Sequence, residues 1–326
     1  MNTRRKLLLA LGSGAIAISP FAAAQSAGTV RRIGFLGLPA ASDWTSKIEA
    51  LRSGLRDLGY VEGKNLVIEF RWAEGKYEQL SELAAELVRL KPDVLITHAT
   101  AGVRAAKQAT TTIPIVIAAT GDAVVAGLVA SLARPGANVT GSSFLSPQLA
   151  AKRLELLKEA LPRLRRVAVL HNPGQLSQYM LDAAQKAAKS LKLEFQQFGA
   201  RAPGEFESAF AAMAKARVGA VTIHEDPMLV GNAKRIVEAA AKQRLPTIGF
   251  TDIAEAGGLM AFGANIAEMH RRAAVFVDKI LKGAKPGDLP VEQPTQFELI
   301  VNLKTTKALK LTIPKSILVR ADRVIE

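Results

Sequence analysis

Three of the four histidines in the chain, His98, His171 and His224, each stand directly after a short apolar run: Leu95-Ile96-Thr97, Val169-Leu170 and Thr222-Ile223. An imidazole can exchange a proton near neutral pH, donate a hydrogen bond to an anion or ligate a metal. Metal ligands must converge to about 2 Å from one ion, and this spacing gives no such convergence, so no metal is expected. Hydrogen bonding to an anion is the better use. A carboxylate-bearing ligand would then be held more tightly by a charged imidazole, its affinity weakening between about pH 5.5 and 8. Beside the histidines stand other groups suited to a small polar solute: Thr97 and Thr100, Asp122, Asn172 before Pro173, and Asp226 before Pro227. Each has a local alternative. The threonines and Asp122 can cap helices, and Asn172 and Asp226 can serve turns.

The same residue types offer little to catalysis. Glu225 and Asp226 are adjacent, so their side chains diverge and give no general acid–base pair. The chain has no Gly-x-Ser-x-Gly elbow, no Walker loop, no Gly-x-Gly-x-x-Gly after its first strand and no His-Glu-x-x-His. No enzyme activity and no cofactor are expected; an exported α/β enzyme acting on a small organic acid is the alternative reading. Zero cysteines remove disulfides, thiol nucleophiles and cysteine-ligated metals. The net charge of +14 raises the question of nucleic acid, but the cations are dispersed along helices, with no basic arm and no aromatic platform. No nucleic-acid partner is expected. A basic surface that favours anions is.

The elements that must position these residues alternate along the chain. Short apolar runs at 33–37, 66–70, 94–97 and 115–117 predict strands, and amphipathic stretches at 44–58 and 77–90 predict helices, the first capped by Ser42 or Asp43. The alternation restarts after Arg134-Pro135-Gly136-Ala137-Asn138. Strands are predicted at 167–170, 193–198, 220–223, 246–250 and 259–262, with helices at 150–160, 178–190, 206–216 and 233–243 between them. A further helix at 266–281 and a strand at 297–301 follow. This order predicts an α/β chain of two similar lobes, each a parallel sheet flanked by helices, joined by several hinge crossovers. The first lobe is expected to hold 30–141 plus about 264–288, and the second 142–263 plus about 289–326. In open parallel sheets ligands bind beyond the carboxyl ends of the strands. That rule selects the loops 37–43, 97–101, 120–122, 171–174 and 224–227, which carry the polar residues above.

The first 24 residues are read separately. Arg4, Arg5 and Lys6 precede an apolar stretch at 7–21 and the small residues Ala22-Ala23-Ala24. Basic, apolar, then Ala-x-Ala is the order of a secretory signal peptide, cleaved near Ala24. A periplasmic location follows as the expectation; Sec and Tat routes are not separable from this segment.

Many blocks of the chain resemble one family. They include Gly59-Tyr60-Val61-Glu62-Gly63-Lys64-Asn65, Arg71-Trp72-Ala73-Glu74-Gly75, Leu132-Ala133-Arg134-Pro135-Gly136, Val139-Thr140-Gly141, Asn172-Pro173 and Glu255-Ala256-Gly257-Gly258-Leu259-Met260. The family is the ABC-transporter substrate-binding proteins of the TrpX-like group, with the type I periplasmic-binding fold. The resemblance implies a monomeric solute receptor that closes around a small molecule and delivers it to the permease subunits of an ABC importer. It implies an aromatic amino acid as ligand in some members, points at the same loops, and adds Phe144 and Asn265 as ligand-binding candidates. His171 stands where the family usually has tryptophan before Asn-Pro, which weakens the inference of an aromatic ligand. Sugar-sensing repressors share the lobed fold but need an N-terminal helix-turn-helix, where this chain carries its signal-like segment.

Overall fold

The computed structural model describes residues 30–144, 146–175 and 178–326. The expected signal peptide, 1–24, lies outside the described residues. The first sheet holds β1 (Arg31–Gly37), β2 (Leu66–Trp72), β3 (Val94–Thr97), β4 (Ile115–Thr120) and β5 (Val139–Ser143), in the order β2-β1-β3-β4-β5 with every neighbouring pair parallel. The second holds β6 (Arg166–His171), β7 (Glu194–Gly199), β8 (Ala220–Ile223), β9 (Thr247–Gly249), β10 (Met260–Gly263), β11 (Glu298–Asn302) and β12 (Arg323–Ile325). Its order is β12-β11-β10-β9-β8-β6-β7, and only the β10–β11 pair among these strands is antiparallel. The run β7-β6-β8-β9-β10 repeats the order of the first sheet, so the two lobes are built alike.

Parallel sheets bury both faces, and the strand sequences show it. Every residue of β3 and β4 is buried. Alternation sends Ile33 and Phe35 of β1 into one core with Leu51, Leu55 and Phe276, while Leu36 joins Leu87, Leu95 and Val103 on the other face. The helix Ile266–Leu281 follows β10 of the second sheet, yet it packs on the helix Thr45–Asp57 and on β3, β4 and β5 of the first. Gly54 allows the two helices to meet, because a Cβ there would press on the Arg271 carbonyl. The chain therefore crosses between lobes after β5, after β10 and before β11. On its last return Glu292 runs beside β5, donating its N–H to Gly141 O at 2.8 Å and accepting from Ser143 N at 2.9 Å.

Two local expectations are corrected. Ser42 and Asp43 do not cap the first helix; they lie in a 3-10 turn, Ala41–Trp44, and no side chain caps Thr45–Asp57. The predicted helix at 77–90 is shorter: Tyr77–Gln79 is a 3-10 turn and the α-helix is Leu80–Arg89. The β5 and β12 strands went unread because Val-Thr-Gly-Ser-Ser and a three-residue end carry almost no periodic apolar signal.

Candidate functional site

A cavity of about 510 Å³ lies at the carboxyl ends of both sheets. Trp44, His98 and Thr120 bring the ends of β1, β3 and β4 to its wall, Gln175 and Asp226 bring those of β6 and β8, and Phe144 comes from the first crossover. Of these, β1 and β3 in one sheet and β6 and β8 in the other flank the points where each sheet's order reverses, the place a doubly wound sheet leaves open.

One wall is aromatic. Trp44, 2 % exposed, stacks on the His98 ring with centroids 4.6 Å apart and 17° between planes. Its Nε1–H donates to His270 Nε2 at 3.1 Å, and His270 Nδ1 lies 2.8 Å from Ile266 O. A carbonyl can only accept, so Nδ1 carries the His270 proton and Nε2 is the acceptor that Trp44 needs. His98 Nε2 accepts the Leu38 N–H at 3.3 Å, which leaves its proton on Nδ1. Both rings are held neutral. Burial lowers His98 well below the ordinary value, helped by the neighbouring His270, and burial brings His270 down to about 4. Burial also lowers His171 and His224. The expected cationic imidazole at the ligand is thus replaced by a neutral one. Trp44→Phe keeps most of the ring wall but strands the buried His270 acceptor. It should cost about 1–3 kcal/mol of stability in urea unfolding; a variant as stable as the parent would show that this hydrogen bond contributes nothing.

A second wall is polar. The helix Ala99–Ala109 begins at the cavity with no side-chain cap, and its first residues, Ala99, Thr100 and Ala101, line the space. Ala99 has φ +58°, a left-handed backbone that costs a non-glycine residue about 1–3 kcal/mol. Uncapped N–H groups at a helix start favour an anion. Thr100 Oγ1 lies 3.4 Å from Thr120 Oγ1, and the exposed Arg104 lines the same cavity one turn further along the helix. Asp122 Oδ1 accepts the Val124 and Val125 N–H groups at 3.2 and 3.0 Å.

The lobes touch across the cavity. The Tyr77 hydroxyl donates to the Asp226 carboxylate and receives Asn172 Nδ2 at 3.3 Å. Burial, then the Asp226 charge, pushes the Tyr77 hydroxyl far above its ordinary value, so it stays protonated. Lys47 and Asp252 form an ion pair between lobes, with side-chain exposures of 7 % and 20 %.

Of the residues singled out in the sequence, His98, Thr100, Asp122, Phe144, His224 and Asp226 line the cavity. Asn172 stands behind Tyr77. Thr97 is withdrawn: it is fully buried, its hydroxyl donates to Leu36 O at 3.0 Å, and Gly102 leaves room for it. His171 is not in the lining, and its Nδ1 is buried without a hydrogen-bond partner. Asn265 caps the helix Ile266–Leu281, accepting from Glu268 N at 3.0 Å, and donates to Glu298 at 3.1 Å, so it ties two crossovers together instead of lining the cavity. Asp226 is no simple turn residue: it accepts the Met228 N–H at 3.0 Å as the N-cap of the helix Pro227–Gly231. The sequence reading singled out none of Tyr77, Arg104 and Trp44, which also line the cavity. The strand-end rule applied after β2 would have reached Tyr77. Among the described residues no group of three or more His, Cys, Asp or Glu is arranged to hold a metal ion, and no helix is long and apolar enough to cross a membrane.

Two like-built α/β lobes with a cavity between their strand ends define the class of type I periplasmic-binding folds. Residues 42–325 match the model of the family described as ABC transporter substrate binding protein, and the chain belongs to that family. It is 29 % identical over 260 residues to a tyrosine-binding protein of Clostridioides difficile (strain R20291), covering 79 % of this chain and 74 % of the relative. A Streptococcus pneumonia ABC domain in complex with L-Trp is 26 % identical, with a TM-score of 0.81 over 90 % of this chain and 100 % of that one. A ligand-free, open substrate binding protein with adhesive properties from Clostridium difficile is 25 % identical, with a TM-score of 0.64 over 91 % and 99 %. Members of the family are solute-binding proteins that serve ABC transporters.

Proposed function

We propose that this chain captures a carboxylate-bearing solute of amino-acid or aromatic-acid size by closing its two lobes, and passes it to the permease of an ABC importer. The observation that carries the reading is the cavity itself: a stacked aromatic wall of Trp44 and His98 beside an uncapped helix start at 99–101, enclosed by loops of both lobes. Carboxylate suits the N–H groups, Thr100, Thr120 and Arg104; a flat apolar body suits the ring wall. The relatives that bind L-Trp and tyrosine support ligands of this size. Closure is supported by the Tyr77–Asp226 and Lys47–Asp252 contacts, and by the higher similarity to the L-Trp complex than to the open, ligand-free relative. The lobes divide near residue 142, with 264–288 returning to the first and the rest to the second. The chain works as a monomer in the periplasm, after loss of residues 1–24; intact mass of the exported form should match a start at Gln25.

Thermal-shift titration of the mature chain against L-tryptophan, L-tyrosine, their des-amino acids and dicarboxylates tests the reading. A true ligand at about 100 times its Kd stabilises the folded chain by about 2.7 kcal/mol, and scattering with that ligand should show a smaller radius of gyration than without it. Absence of a shift with every aromatic acid would overturn it.

A further inference from the structure

The pole of the second lobe away from the cavity, where its parallel strands begin, carries a row of cations. Lys192, Arg165, Arg217 and Arg244 lead into β7, β6, β8 and β9, which are neighbours in that order, and all four are exposed. The register pairs Arg166 with Glu194, Val167 with Ala220 and Val221 with Thr247, so the four stand within one residue of a common level. With strands about 4.8 Å apart the row is about 15 Å long. Arg163, Lys189 and Lys215 are exposed around it. Among the described residues none of these cations forms an ion pair, and the carboxylate nearest in register, Glu194, is taken by Arg166. The backbone does not ask for these side chains. Lys192, Arg217 and Arg244 follow the helices Gln178–Ser190, Phe206–Lys215 and Ala233–Lys242 with φ of +57°, +56° and +55°, where glycine would be free of strain. A cation in a helix's last turn answers its dipole, which accounts for Lys189 and Lys215 but not for the row beyond them. The like-built first lobe differs at the corresponding edge. Lys91 holds a matching left-handed turn there, but Asp93 beside it binds Arg31 and the Arg32 N–H, and Pro114 leads into β4.

We propose that this row seats the second lobe on an anionic phospholipid surface. Headgroup phosphates present a plane of negative charge that a row of exposed, unpaired cations meets without any shaped pocket. Each lysine or arginine near such a surface strengthens partition about fivefold. The family serves transporters, whose permeases lie in a membrane, so such a surface is at hand. Nucleic acid fits the row less well. The exposed aromatic side chains among the described residues, Tyr179 and Phe297, stand at the cavity end of the sheet, so bases find no stacking platform beside the cations. The contact does not involve the cavity, and it stands whatever solute the cavity binds.

Co-sedimentation of the chain from Gln25 onward, which keeps every described residue, with vesicles of phosphatidylglycerol and phosphatidylcholine in equal parts tests this. The chain should bind at about 0.1 M salt, come off at about 1 M, where the Debye length falls to about 3 Å, and ignore vesicles of phosphatidylcholine alone. Arg165→Gln combined with Lys192→Gly, Arg217→Gly and Arg244→Gly should weaken partition at least about 100-fold. The glycines suit their left-handed turns, so this variant should melt where the parent does or higher. Removing as many exposed cations from the first lobe, by Arg56→Gln, Lys64→Gln, Arg89→Gln and Lys91→Gly, should leave partition within about tenfold of the parent. Equal losses from the two variants would reduce the effect to net charge and overturn the assignment. So would no binding at low salt, or equal binding to the neutral vesicles. Tighter binding to duplex DNA than to the anionic vesicles, lost in the row variant, would make the occupant nucleic acid and overturn it too.

Discussion

Replacing Glu225 by alanine should lower the melting temperature by about 5–8 °C, the loss expected from about 3–5 kcal/mol in a chain of this size. Arg153 and Glu225 have side-chain exposures of 2 % and 8 %, and Arg153 Nε also donates to Phe262 O at 2.7 Å, at the end of β10. The guanidinium therefore joins the helix Ser146–Ala160 to the cavity floor and to the strand that leads into the second crossover. Removing the carboxylate leaves that cation buried with a single carbonyl partner, which is why truncating one partner costs more than the pair itself contributes. Exchanging both, as Arg153→Met with Glu225→Leu, should recover most of the loss. A single variant that melts with the parent would show that water reaches the pair. Burial pushes the Glu225 carboxyl up, but the Arg153 charge and hydrogen bond outweigh it and leave it below the ordinary value. Its contribution is complete above the ordinary carboxylate pKa and is lost as pH falls through the lowered folded value.

Acid should also unfold the chain through the His270 cluster, and over a higher pH window. His270 titrates at about 4 when folded against an ordinary 6.5. Between those values the unfolded chain binds a proton that the folded chain refuses, so stability is full above pH 6.5 and falls by about 3 kcal/mol by pH 4. His98 acts in the same direction. Urea unfolding at half-unit pH steps should show this slope, and His270→Gln, whose amide oxygen can still accept from Trp44, should reduce it by about one proton. An unchanged slope would place the titration elsewhere. Ligand affinity should be flat from about pH 6.5 to 8, because His98 is neutral throughout. A tenfold weakening across that range would restore a charged histidine to the ligand.

Much of the cavity was legible in the sequence because its scaffold is periodic. Leu95-Ile96-Thr97 and Thr222-Ile223 can only be buried strands, and in a parallel sheet the residue after each must stand at the ligand-bearing edge. That placed His98 and His224 at the cavity without coordinates. The helix Ile266–Leu281 and the strand Val94–Thr97 were read with their observed bounds, since apolar spacing and flanking prolines or caps are local signals. Zero cysteines and missing nucleotide and hydrolase motifs likewise bounded the chemistry from composition alone.

What periodicity could not give was direction and partnership. Thr97 and His98 are neighbours, but the strand's pleat turns Thr97 to Leu36 and His98 to the cavity. Tyr77 belongs to a helical pattern, and only the 3-10 turn at its start, with Asp226 arriving from the other lobe, makes it part of the site. Trp44 is core by spacing; its contact with His270 joins residues 226 positions apart. The protonation state of the histidines was decided in the same way. An imidazole's ordinary pKa is a property of the residue, whereas the burial that lowers it is set by side chains that only the folded lobes bring around it.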